Sequence, residues 1–133
     1  FNNYIVYIQP SSPLLKPKHI DNAIRLIKKK KSNCLISCYP AESEKFFKSM
    51  QINNKGKITP TFKKSFLYTN RQSFKNIYIP NGCIFIFKIE KNFLKKYVNY
   101  SDCIPYVMKS DDAIDINHKE DLLKTKNKFI KKY

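Results

Sequence analysis

The sequence predicts an α/β domain, and two observations carry that prediction. Unbroken apolar runs, YIVYI at 4–8 and CLISC at 34–38, flank a segment whose apolar residues recur at helical spacing. Two further runs, CIFIF at 83–87 and IPYVM at 104–108, precede a second helical pattern near the end of the chain. With 133 residues there is length for one domain and one core.

Each element can be argued in turn. Tyr4 to Ile8 contains no alternating polar residue, so it reads as a strand buried on both faces, as in the interior of a parallel sheet. Pro10 and Pro13 then stiffen the loop PSSP. Lys18 to Lys31 reads as a helix with Ile20, Ala23, Ile24 and Ile27 on one stripe. Lysines 28–31 form a last turn that the helix dipole favours. Residues 34–39 make a second buried strand, completing a βαβ unit with an expected right-handed crossover.

The middle departs from this pattern. Two half-apolar segments surround Asn53-Asn54-Lys55-Gly56, a hairpin signal in which Gly56 supplies a positive φ. A hairpin is expected over 46–62, its first strand starting at Lys45, leaving the body as an arm. Residues 63–76 read as polar and irregular. A strand from Ile77 breaks at Pro80-Asn81-Gly82 and resumes over Cys83 to Phe87. A short helix is expected near Glu90 to Tyr97, then a strand over 104–108. The last helix runs from His118 to about Lys131, with Leu122, Leu123, Phe129 and Ile130 as its apolar residues.

Composition narrows the function. Hydrophobic residues at 42% and aromatics at 14% can build a packed core, which argues against disorder throughout. No apolar run approaches the ~20 residues of a membrane-spanning helix, so no membrane partner is expected. Two glycines leave no glycine-rich phosphate loop in this stretch. The net charge is +16, yet all but Arg25 and Arg71 of the 26 basic residues are lysine. That gives a diffuse field which attracts polyphosphates, and it argues against nucleic acid as the main partner, because base readout favours arginine. None of the four cysteines forms a C-x-x-C pair. Cys34 and Cys38, on one strand, would sit about 13 Å apart, too far to bridge. Buried free thiols in a reducing cytoplasm are expected, and no structural zinc site. The chain starts at Phe1 and enters an apolar run at once with no visible secretory leader, which reads as a truncated start.

A few residues have the character of a site. Gln9 lies at the carboxyl end of the first strand, where open α/β sheets bind ligands. Asp115 and Asn117, two apart in an extended segment, share a face opposite Ile114 and Ile116. Such oxygen donors suit Mg²⁺, which takes one or two carboxylates plus substrate phosphates. Asn117 also opens N-H-K-E, a capping-box pattern with Glu120. Asp115 has no such structural reason to be there, since a carboxylate between isoleucines wants a partner. Arg71, retained among lysines, suggests a need for the bidentate guanidinium fork. Lys45 carries no signal alone, and His19 and His118 are expected to serve helix starts.

Taken in order, these segments resemble the acylneuraminate (CMP-sialic acid) cytidylyltransferases. YIVYIQPSSPL followed by HIDNAI is similar to that family's Q-P-T-S-P-L segment and the helix after it. KFFK at 45–48, NRQ at 70–72, IPNGCIFIF at 79–87 and AIDINHKEDL at 113–122 continue the series across nearly the whole chain. The sister enzymes for 3-deoxy-manno-octulosonate lack the Q-P-T-S-P pattern, which favours the sialic-type branch. The resemblance implies a Rossmann-like nucleotidyltransferase three-layer sandwich, of which this chain is the C-terminal portion. It also implies a homodimer built through a hairpin arm of about 45–76. The implied reaction transfers CMP from CTP to a nine-carbon α-keto sugar acid, releasing pyrophosphate, with Mg²⁺ as cofactor.

By match of motif, Gln9 would contact the sugar, and Lys45 and Arg71 would approach its carboxylate from the arm of the other subunit. Asn81 would border the sugar site. Asp115 would be the catalytic metal ligand, with Asn117 beside it. This sequence has Ile114-Asp115-Ile116-Asn117 where the family has I-D-I-D, and Ile79 where R-P-N-G begins with arginine. The family's basic nucleotide loop would lie upstream of Phe1, so this chain alone is expected to be inactive. The alternative reading is non-enzymatic: a degenerate family member or a lysine-rich nucleic-acid-binding module.

Overall fold

The computed structural model describes residues 3–89 and 102–130, so the helix expected near 90–97 lies outside the described residues. In chain order the elements are β1 (Tyr4–Ile8), α1 (Pro17–Lys30), β2 (Cys34–Ala41), α2 (Ser43–Phe47), β3 (Met50–Ile52), β4 (Ile58–Pro60), β5 (Ile77–Lys88), β6 (Ile104–Val107) and α3 (Lys119–Ile130). Short 3-10 turns lie at Lys64–Tyr68, Arg71–Ser73 and Ser110–Asp112. The chain divides into two compact units, Phe1–Tyr39 with Pro80–Tyr133, and Pro40–Ile79.

The first unit is α/β. Its mixed sheet has the order β1-β5-β2-β6. β1 pairs antiparallel with β5, from Tyr4 opposite Lys88 to Ile8 opposite Ile84, and β2 pairs parallel with β6. Helix α1 starts with Pro17 at its first position, where no amide hydrogen is needed. His19 closes that start: its Nδ1 accepts from the Lys16 N–H at 3.3 Å. Lys31 ends the helix in the left-handed region, φ 52°, and its N–H donates to Lys28 O. The apolar stripe packs as expected, with Ala23 and Ile27 fully buried beside Leu35, Ile84, Ile86 and Met108. Removing a fully buried leucine or isoleucine side chain from such a core costs about 2–5 kcal/mol.

Several expectations need correction. β1 is not a strand buried on both faces between parallel neighbours. It stands at one end of the described sheet order, its only described pairing is antiparallel, and Ile5, Tyr7 and Ile8 are exposed. Proline, asparagine and glycine at 80–82 do not break the strand: β5 runs unbroken from Ile77 to Lys88, with Gly82 at φ 71° inside it. A buried side-chain network holds it there. Ser37, fully buried on β2, donates to Asn81 Oδ1 at 2.5 Å and accepts from the Ile84 N–H at 2.8 Å.

Cys34 and Cys103 form a disulfide, with Cα atoms 4.4 Å apart, which ties the start of β2 to the residue before Ile104 of β6. Adjacent parallel strands brought these two together, a pairing that strand spacing within one run could not reveal. Cys38 and Cys83 are free and buried, as expected, and burial pushes both thiols up. In α3 the buried residue is Thr125, while Leu122, Leu123, Phe129 and Ile130 are exposed. Among the described residues, no helix is long and apolar enough to cross a membrane.

The second unit holds the hairpin. β3 and β4 pair antiparallel, and Gly56 takes φ 71° in the turn. Asn53 Oδ1 accepts from the Lys55 and Lys57 N–H groups, fixing that turn. Lys45 does not start the hairpin strand. It lies in α2 and pairs with Glu42 at 2.9 Å. The stretch after the hairpin is irregular but not merely polar. Phe47 packs its ring against Phe46, Phe62, Phe66 and Phe74, with centroids 5.4–5.6 Å apart.

Candidate functional site

Three segments of the first unit converge where β1 ends. The Gln9 N–H donates to Cys83 O at 3.3 Å, fastening the end of β1 to β5. The Ile116 N–H donates to Ser11 O at 2.9 Å, laying 113–117 along the loop after β1. The result is a pocket of about 480 Å³ whose walls include Gln9, Tyr39, Asn81, Asp115, Asn117 and Asp121.

Gln9 and Asp115, 106 residues apart in sequence, meet in it. Gln9 Nε2 donates to Ser11 Oγ at 2.9 Å and lies 3.3 and 3.4 Å from the two oxygens of the Asp115 carboxylate. Asn117 Nδ2 donates to the same carboxylate at 3.0 Å. Asp115 therefore finds the partners a carboxylate between isoleucines requires, and both are neutral amides. Asn117 does not cap α3 with its side chain. Asp121 does so instead, accepting from the His118 and Asn117 N–H groups at 3.1 and 3.3 Å. Those donors, the His118 N–H first, hold the Asp121 carboxyl below the usual aspartate range.

Asn81 contributes to the wall, but its side chain turns inward. It is 8% exposed; its Oδ1 accepts from Ser37 and from the Cys83 N–H, and its Nδ2 points at Met108 Sδ at 3.5 Å. In a chain of net charge +16, no lysine or arginine lines this pocket among the described residues, while two carboxylates do. It can accept hydrogen bonds from a polyol and offer hard oxygens to a cation. It has no side-chain cation with which to hold a phosphate. Among the described residues, no three His, Cys, Asp or Glu side chains converge as a metal site.

Lys45 and Arg71 belong to the second unit. There Arg71, with Gln72 and Asn76, lines a polar pocket of about 550 Å³ that also includes Glu42 and Glu44. Its guanidinium lies 3.9 Å from Glu44 and is 78% exposed. Glu44 also accepts from Lys48 at 2.9 Å, and that bond first, then the charges of Lys48 and Arg71, hold its carboxyl low. Lys45 lies 76% exposed beside Glu42.

Sequence reading missed Asp121, Gly82 and Ser37. Asp121 was legible as an acidic residue three places after His118, in the first turn of a helix. Ser37 left no signal, since a serine in an apolar run does not announce its partner. No family model matches the chain.

Proposed function

We propose that this chain is the C-terminal portion of a sialic-type cytidylyltransferase with a Rossmann-like fold; the Cys34–Cys103 disulfide removes the free-thiol argument for a reducing cytoplasm. The full enzyme transfers CMP from CTP to a nine-carbon keto sugar acid. The observation that supports this most is the contact of Gln9 with Asp115, since the resemblance assigns those two residues to the same reacting complex. The acceptor-rich pocket, lined by two carboxylates, suits the hydroxyls of a sugar.

Toward Mg²⁺, Asp115 would supply one carboxylate, and Asn117, whose amide nitrogen faces Asp115, would supply its oxygen by turning that amide over. When bound, Mg²⁺ offsets charge on the phosphoryl group in transfer. The chain's own residues bind and orient. Gln9 fixes the sugar against Asp115, while Arg71 and Lys45 of the second unit hold the sugar carboxylate of the other subunit. The exposed apolar residues Met50, Ile52 and Ile58 on the hairpin support an arm that dimerises. Deleting 46–76 is expected to give monomers in sedimentation, and an unchanged dimer would contradict the arm.

The test of the sugar site is calorimetric titration of a sialic-type sugar acid into the protein. Binding is expected, with loss of about tenfold or more on Gln9→Ala, the scale of one or two hydrogen bonds to a charged or polyhydroxyl ligand. Equal affinity for wild type and Gln9→Ala would contradict the reading.

A further inference from the structure

We infer that Gly82 is a positioning residue for Gln9: the side chain missing at 82 is the space in which the Gln9 amide lies. A Cβ built on Gly82 would fall 2.3 Å from Gln9 Oε1 and 3.4 Å from its Cδ, and the first distance is closer than real atoms approach. The turn glycine of the second unit provides the contrast. Gly56 has the same φ of 71°, yet a Cβ there would meet nothing within 4 Å. Gly56 is glycine for its backbone alone, whereas Gly82 is glycine for its backbone and for a neighbour.

The consequence reaches Asp115. With Oε1 resting over Gly82, Nε2 is turned toward Ser11 Oγ and the Asp115 carboxylate. Any side chain at 82 displaces the amide, and among the described residues Asp115 then keeps only the donor from Asn117. Reversing the amide instead would set an oxygen against a carboxylate, acceptor against acceptor. Gly82 touches no substrate in this account and acts through Gln9. Its effect on sugar binding rests on the function proposed above, but its effect on Gln9 does not.

The experiment is a cycle of Gly82→Ala, Gln9→Ala and the double variant in the full chain, read by NMR of the side-chain amides and by thermal unfolding. The Gln9 amide pair, identified by its loss in Gln9→Ala, is expected to move to the position of a free, solvated amide in Gly82→Ala. The unfolding midpoint should fall further when Gly82→Ala is made in the wild-type background than in the Gln9→Ala background, since only backbone strain remains in the double variant. An unmoved amide pair, or failure of both variants to fold, assigns Gly82 to backbone strain alone and overturns the proposal. Titration with the sugar acid is the separate arm. If wild type does not bind, the proposed function fails, while the amide shift still decides the role of Gly82.

Discussion

The two units are built on different physics. The first buries small and aliphatic residues completely: Ala23, Ile27, Leu35, Ile84 and Ile86 have no exposed surface. The second has no fully buried side chain and relies on a half-buried group of phenylalanine rings around Phe47. Both units hold ion pairs, Lys16–Asp112 and Lys124–Asp121 in the first among them, but Asp115 is held differently. Asp115 in the first unit is held by neutral amides, whereas Glu42 and Glu44 in the second are matched by lysine and arginine. A carboxylate held by amides keeps its charge available to a ligand, while one paired with a cation has already been neutralised. The contrast explains why the first unit's pocket is the better candidate for metal and sugar chemistry.

The sharpest way to break the comparison is to cut into each core. Leu35→Ala should cost about 3–5 kcal/mol, the upper range for a site that is completely enclosed. Phe47→Ala should cost about 2 kcal/mol, since its ring is only partly shielded, and should lower exchange protection in the β3–β4 ladder. Denaturant melts giving equal losses would show that the rings form as closed a core as the aliphatic residues do. Reducing Cys34–Cys103 comes next. The bridge spans 69 residues, so its loss should remove about 2–4 kcal/mol, read as a lower melting temperature in reductant that Cys34→Ser reproduces. A melt insensitive to reductant would contradict the bridge.

The smallest effect concerns α3. Asp121 is held below the usual range, so its cap stabilises the protein above about pH 4 and loses that effect as pH falls through its lowered value. Asp121→Ala should therefore melt earlier than wild type at neutral pH, with the two curves converging in acid. A gap that persists at about pH 2, well below the ordinary aspartate range, would mean that something other than the carboxylate is lost.

Much of the first unit was legible because burial writes itself into periodicity. Ile20, Ala23, Ile24 and Ile27 gave α1 to within a residue at each end, and the runs at 4–8 and 34–38 gave two strands. What failed were inferences that need a partner. β1 looked buried on both faces because its own residues are apolar, but pairing order is set by β5, which lies far along the chain. Pro80-Asn81-Gly82 looked like a break because turn chemistry is local, whereas Ser37 on another strand keeps the segment in the sheet. In the second unit Asn53 and Gly56 marked the turn correctly. The phenylalanines, spread over 46–74 with neither helical nor strand spacing, gave no sign that they would meet. Asp115 and Asn117 were legible as a pair from their spacing, but from residues alone Gln9 stood apart, and its contact with Asp115 required the fold.

The most direct test of the central claim is pyrophosphate release from CTP and a sialic-type sugar acid across a magnesium titration. It uses the full enzyme proposed above, as wild type, Asp115→Asn and Asn117→Asp. The account predicts magnesium-dependent release that falls about 100-fold or more in Asp115→Asn with an unchanged melting temperature. It also predicts that Asn117→Asp shifts half-saturation to lower magnesium and raises the rate, because it adds an anionic ligand where the amide now stands. Release that is indifferent to Asp115→Asn would contradict the account and leave the Gln9–Asp115–Asn117 cluster as a structural network only.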